Sequence, residues 1–271
     1  MANLRIVHVT APGCSWSWGY EPVLHRIREV YGEQVPIDLV IGCPYYDFDQ
    51  WLKDYEMSWE EAEEFFREGA RTMGVPMAQP TRETIPWDVL PGSLAAIAAG
   101  RQGPPGSGKF LRALTRRIVV EMQDPAKPEV LREAAREAGL DVARFEKDLA
   151  DKEGLEAEYQ DQGVSVPHVP MGFYNLVLTD DESRTLILDY AFDPAKVESA
   201  IEWMSGGALQ KRKPGDIIEF AREHGPTSAI EVARVFALAP RDAQAKLEEG
   251  EKGGKLARVT LAGAPHWRKA G

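Results

Sequence analysis

Apolar positions along the chain fall into blocks of differing period, and the change of period predicts the elements. Leu4 to Thr10 gathers Leu4, Ile6, Val7 and Val9 in seven residues, the mark of a buried strand. Ala11-Pro12-Gly13 breaks it. From Ser15 to Tyr31 the spacing turns helical, with Val23, Leu24, Ile27 and Val30 on one stripe and Gly32 as the stop. Val35 to Ile41 reads as a second strand, and the connection suits a right-handed parallel crossover. Helical periods then dominate. Ser58 with Glu61 makes a capping box opening a helix to about Met73, and further stretches run near 93–100, 108–122, 127–138 and 141–150. Beyond Gly163 the period returns to that of strands. Met171–Leu178 and Arg184–Tyr190 read as a hairpin turned at 179–182, and Pro194 opens a helix to about Met204. The last part carries three short helical patterns, at 216–224, 228–238 and 240–249, then two strand patterns, Lys255–Leu261 and His266–Lys269.

Length and charge turn this pattern into a domain plan. With 271 residues there is room for one large domain and one small one. The net charge of −11 is unevenly spread: residues 209–271 hold 12 Lys+Arg against 8 Asp+Glu, while the first 208 hold 20 against 35. An acidic body repels nucleic acid, and the C-terminal part does not. The expected plan is an α/β domain over 1–205 with an all-helical insertion at about 55–160, a linker at 206–215 containing Gly206-Gly207 and Lys211-Arg212-Lys213-Pro214-Gly215, and a second domain at 216–271.

Two cysteines, Cys14 and Cys43, are too few for a disulfide framework or a four-cysteine zinc site. They suit the reducing cytoplasm. Met1 to Thr10 is too short and polar for a signal peptide, and no run of apolar residues is long enough to span a membrane. The five histidines show no ligand spacing, so no metal is expected. Gly103-Pro104-Pro105-Gly106-Ser107-Gly108-Lys109 imitates a phosphate-binding loop, but Phe110 stands where the magnesium-binding hydroxyl belongs and no strand precedes it.

The chemistry points to Cys14. A cysteine between a strand end and a helix start meets backbone N–H groups and the positive end of the helix dipole, which favour the thiolate. In a dithiol site a second cysteine three residues on resolves the mixed disulfide. Here that position is Ser17, so the motif supports thiol attack without the usual resolution.

The segment Ala11-Pro12-Gly13-Cys14-Ser15-Trp16-Ser17-Trp18-Gly19-Tyr20-Glu21-Pro22 resembles the active-site segment of the DsbA-like thioredoxin superfamily, in particular its FrnE-like branch, which shows Cys-Pro-Trp-Cys-Trp-Gly and a nearby Glu-Pro. The order of Ala95-Ala96 to Gly100, Phe110 to Leu114, Pro128 to Leu131 and Ala138 to Phe145 is similar to that family's helical insert, so the resemblance covers roughly 4–204. It implies a thioredoxin-like fold with an all-helical insertion. It also implies a cis-proline beside the cysteine, at Pro167 or, more weakly, Pro170. The catalytic set would be Cys14, Ser17 and Pro167; backbone amides near Ser15 and Trp16 would steady the thiolate; Ser15, Trp16, Trp18, Val166 and His168 would face a substrate or partner. At least one of the two tryptophans is expected to be packing for the first helix. Cys43, at the end of the second strand, is a candidate resolving thiol if it approaches Cys14.

Three functions follow. The first is a monothiol, Cys-x-x-Ser, thiol-disulfide oxidoreductase. The second is a redox sensor or adaptor without turnover, or a transcriptional regulator with an output domain. The third is a glutathione transferase or isomerase, as in related branches that place serine near this position. No cofactor is expected beyond a low-molecular-weight thiol such as glutathione, and the expected partner is a thiol-containing substrate or a protein. Residues 216–271 read as a small winged-helix domain, with Arg241, Lys246, Arg258, Arg268 and Lys269 as DNA phosphate-contact candidates. Glu248, Glu249 and Glu251 crowd the same helix, which makes protein binding an equal expectation.

Overall fold

The computed structural model describes residues 4–42, 48–85, 88–165 and 176–271. The chain begins with β1 (Arg5–Thr10), α1 (Ser15–Tyr31) and β2 (Ile37–Ile41), with a single 3₁₀ turn, Gly32–Gln34, between the last two. β1 and β2 pair in parallel, Ile6 opposite Ile37 and Thr10 opposite Ile41. The crossover is the one the apolar pattern predicts. Ile6 and Val9 of β1 and Val23, Leu24, Ile27 and Val30 of α1 are all buried.

A helical block follows: α2 (Phe48–Asp54), α3 (Trp59–Met73), α4 (Leu90–Gly100), α5 (Pro104–Val119), α6 (Pro128–Glu137), α7 (Val142–Leu149) and α8 (Lys152–Ser165). The capping box forms: Glu61 N–H donates to Ser58 Oγ at 3.2 Å and Ser58 N–H to Glu61 Oε2 at 2.8 Å. Two helices are absent from the sequence pattern. α2 is seven residues, about two turns. α8 is anchored chiefly by Leu155 and Tyr159, four residues apart, which is too thin a stripe for periodicity to register. α5 starts four residues before the expected 108. Pro104 at the first helical position has its φ preset and needs no N–H partner, and Gly103 takes the φ of 103° that the entry demands. The phosphate-loop look-alike is therefore the opening of a helix.

The chain returns to the sheet with β3 (Leu176–Thr179) and β4 (Thr185–Leu188), then α9 (Pro194–Ser205). The sheet order is β2-β1-β3-β4, with β3 antiparallel to both β1 and β4. α8 reaches back to it, Gln162 Oε1 accepting from Ile41 N–H at 2.8 Å. One core lies between the sheet, α1 and α9; a second fills the helical block around Phe110, Leu114 and Phe145.

The C-terminal part comprises α10 (Ile217–His224), β5 (Thr227–Ser228), α11 (Ala229–Phe236), α12 (Pro240–Lys252), β6 (Leu256–Leu261) and β7 (Ala264–Lys269). A three-stranded sheet of order β5-β7-β6 backs three helices around Phe220, Val232, Leu247 and Trp267. The β6–β7 hairpin falls on the two strand patterns expected at 255–261 and 266–269; β5, two residues long, is below the reach of any pattern. The segment before α10 is tied down. Arg212 N–H donates to Val30 O at 2.8 Å, its Nε to Glu29 O at 2.7 Å, and Gln34 and Gln210 exchange two hydrogen bonds at 2.9 and 3.1 Å.

Candidate functional site

Cys14 caps the N-terminus of α1. Its φ and ψ, −82° and 111°, are extended, and its Sγ accepts the N–H of Ser17 at 3.4 Å. Ala11 O accepts the Cys14 N–H at 3.0 Å, which closes the turn that presents the sulfur. Ser17, the third residue of the helix and next to the Ser15 and Trp16 amides named in the sequence reading, supplies this contact to the sulfur. An N-cap acceptor bonds the second or third residue of the helix, and the extended backbone here selects the third. An N–H aimed at sulfur at the positive helix end stabilises a thiolate over a thiol. Cys14 is partly buried, whereas Ser15 and Ser17 are buried. The Ser17 hydroxyl has no hydrogen-bond partner among the described residues. Pro167, Val166, His168 and Cys43 lie outside the described residues, as does Pro170.

The two tryptophans separate. Trp18 is 1% exposed and donates its indole N–H to Pro76 O at 3.0 Å, so it is a core residue rather than a partner-facing one. Trp16 begins an aromatic array: its ring stacks on Phe192 at 5.8 Å and meets Tyr190 edge-on at 5.2 Å and Phe65 at 5.7 Å. The array continues through Trp51 to Tyr55, and both Tyr55 and Tyr190 are 48% exposed.

Beneath the thiol end of α1, His8 of β1 is sealed in, with neither ring nitrogen bonded among the described residues. Burial pushes its pKa down to about 4, against a smaller opposing pull from Glu21. Tyr20 packs edge-on against His8, and its hydroxyl accepts the N–H of Ala191 at 3.3 Å. Burial drives that phenol well above its ordinary range.

One turn further along α1 lies a polar knot that the sequence reading missed. Arg112 of α5 is buried and donates to Glu21 Oε2 at 3.2 Å, Glu231 Oε1 at 2.9 Å and His224 O at 3.1 Å, with its guanidinium 5.0 Å from the Trp18 ring. Burial alone would raise Glu21; its contacts with His25 and Arg112 outweigh that and hold its pKa at about 2. The signal available in the sequence was a pair of arginines, Arg112 and Arg116, at helical spacing among the apolar Phe110, Leu111, Ala113 and Leu114.

The DNA-contact residues gain no support. Lys246 is held by Glu249 at 2.9 Å and Arg258 by Glu251 at 2.9 Å, with its guanidinium over Trp267. Arg241 leans on Asp242 at 3.4 Å, and Arg268 and Lys269 are exposed on β7. Cations paired with carboxylates on their own surface release few counterions on a phosphate backbone. Among the described residues no group of three metal-ligating side chains occurs, and no helix is long and apolar enough to cross a membrane.

Comparison with known proteins fits this geometry. The chain is 26% identical over 98% of its length, and 88% of the relative's, to the ClpXP adapter protein SpxH of Halalkalibacterium halodurans. Among solved structures it is similar to the cytosolic disulfide reductase DsbM of Pseudomonas aeruginosa, with a TM-score of 0.55 and 23% identity over 76% of this chain and 99% of that one. A candidate protein disulfide isomerase from Nitrosomonas europaea matches with a TM-score of 0.57 and 18% identity over 76% of this chain and 100% of that one. The family described as Thioredoxin matches residues 9–175, from β1 through the thiol turn and the whole helical block. The chain belongs to the thioredoxin family, with a DsbA-like fold.

Proposed function

We propose that this chain is a cytoplasmic protein-binding adaptor on a thioredoxin scaffold, in which Cys14 forms a covalent, reversible link to a disulfide-bearing partner. The observation that carries the reading is Ser17 standing three residues after Cys14 with its N–H on the sulfur and a hydroxyl where a resolving thiol would be. A Cys14 thiolate attacking a partner's disulfide forms a Cys14–partner disulfide and releases the other partner sulfur as a thiolate. Serine cannot expel that link, so it persists until a thiol from solution, such as glutathione, attacks it. The aromatic array from Trp16 to the exposed Tyr55 and Tyr190 offers a large, rigid contact surface beside the sulfur. The similarity to SpxH, named as a ClpXP adapter, extends over nearly the whole chain, whereas the disulfide reductase DsbM matches 76% of it. This favours a two-domain plan, 1–205 and 216–271 joined by 206–215, with the C-terminal winged-helix-like domain serving protein contact.

The experiment is trapping. Treated with glutathione disulfide, the wild type should accumulate a stable Cys14 adduct by mass spectrometry, and Ser17→Cys should deplete it at least tenfold by closing an internal disulfide. Rapid reduction of insulin by the wild type with glutathione would overturn the adaptor reading. It would instead favour the second reading, a monothiol oxidoreductase, which the Ser17 N–H to sulfur contact also suits. Iodoacetamide reactivity of Cys14 against pH, with Cys14→Ser as control, measures how strongly the helix start favours the thiolate.

A further inference from the structure

Between α1, α5 and the end of α10 lies a cleft of about 220 Å³ that the thiol chemistry does not use. α1 contributes His25 and Arg28, α5 contributes Lys109, Arg112 and Arg116, and α10 ends in His224. Its carboxylates are already engaged: Glu21 with Arg112 at 3.2 Å, Glu137 with Arg116 at 2.7 Å, and Glu223 with Lys109 at 3.0 Å. Arg28 is different. It is half-buried in the cleft wall, and among the described residues no carboxylate lies within 4.0 Å of it and its guanidinium has no hydrogen-bond acceptor. Beside it are two imidazoles in tilted contact, His25 and His224, with ring centroids 4.5 Å apart and planes at 51°. His25 is 6% exposed, and its Nε2 stands 3.5 Å from Glu21 Oε2 with no hydrogen bond made. Burial and the neighbouring cations Arg112 and Arg28 disfavour protonation of both rings, so Arg28 is the cleft cation left without a carboxylate in contact among the described residues.

A guanidinium taken partly out of water with no carboxylate in contact is costly, and a bound anion lowers that cost. The cleft is below the roughly 300–1,000 Å³ of drug-sized sites, which suits a phosphate-sized group better than a nucleotide. We infer that this cleft binds a small tetrahedral oxyanion, inorganic phosphate or the terminal phosphate of a small metabolite, with Arg28 as its principal ligand and Lys109, His25 and His224 as flanking donors. Because α10 belongs to the C-terminal part, occupancy would also clip that part to α1 and α5.

Glycine at 108 makes a second test variant available: a Cβ there would meet only Arg28 Nη2, at 3.9 Å. Gly108→Glu thus puts a carboxylate beside Arg28 from within the chain. Titration calorimetry and thermal unfolding with potassium phosphate, against potassium chloride at matched ionic strength, should show saturable one-site binding by the wild type. Arg28→Gln should weaken it at least tenfold, Gly108→Glu should abolish it, and the exposed Arg132→Gln should leave it unchanged. Glycerol phosphate binding more tightly than inorganic phosphate identifies an ester as the ligand; equal binding identifies the free anion. A wild type that responds to phosphate no more than to chloride, or a Gly108→Glu protein that still binds it, overturns the proposal.

Discussion

The start and the middle of one helix, α1, solve the same problem in opposite ways. At the thiol end, polar groups are buried without bonds: Ser17 Oγ, Thr10 Oγ1 and both ring nitrogens of His8 have no partner among the described residues. Packing of Trp16, Trp18 and Tyr20 holds that end together. Halfway along, the opposite holds: Glu21, Arg112 and Glu231 are as deeply buried, and every one of these charges has an opposite charge in contact. Neutral groups can be left unsatisfied at a cost of a few kcal/mol, but a buried charge cannot. The first arrangement leaves the Cys14 sulfur next to unused hydrogen-bonding capacity. The second joins α1 and α5 to α11 of the C-terminal part through paired buried charges.

Removing the central cation of the joint should have the largest effect. Arg112→Leu leaves Glu21 and Glu231 buried without a counter-charge and should cost about 3–5 kcal/mol in urea unfolding. A loss under about 1 kcal/mol would mean the joint is not held by charge. Acid should weaken the thiol end next. His8 titrates at about 4 when folded, below its ordinary 6.5, so the stability it protects is complete above 6.5 and falls as the pH drops towards 4. Between pH 7 and 5 that loss is about 2 kcal/mol, and it should be absent from His8→Leu, compared by unfolding at both pH values. Ser228→Ala removes the N-cap of α11, whose Oγ accepts from Glu231 N–H at 3.4 Å, and also frees one side of Glu231; about 1 kcal/mol should be lost. The smallest effect sharpens the contrast: Ser17→Ala deletes a hydroxyl that bonds nothing among the described residues, so stability should change by less than about 0.5 kcal/mol. The backbone amide remains, so Cys14 alkylation should be unaltered. A clear loss of either would show that the hydroxyl is engaged.

The elements legible in the sequence are those with a full apolar stripe or a strong local signal. α1, with Val23, Leu24, Ile27 and Val30, runs over the expected residues, and the Ser58–Glu61 box opens α3 where it should. The elements missed, α2, α8 and β5, are short or carry few apolar anchors, so their order comes from what they pack on. The site divides the same way. Cys14 at a strand-to-helix turn is readable because strand, breaker and helix are neighbours in the chain. Arg112 meeting Glu21 and Glu231 is not, because those residues are 91 and 119 positions apart from it. The sequence likewise offered both tryptophans as equals, and only packing sent Trp18 inward to Pro76 and left Trp16 at the head of an aromatic surface.

By itself, then, the order of residues determined the thioredoxin scaffold, its helical block and the placing of Cys14 at a helix start, since each depends on periodicity, caps and breakers acting over a few residues. Which charges are buried together, which amide meets the sulfur and which cations are left over in a cleft were decided only by tertiary structure. Coulomb and desolvation energies depend on distance in space, and distance in space is what a linear pattern leaves out.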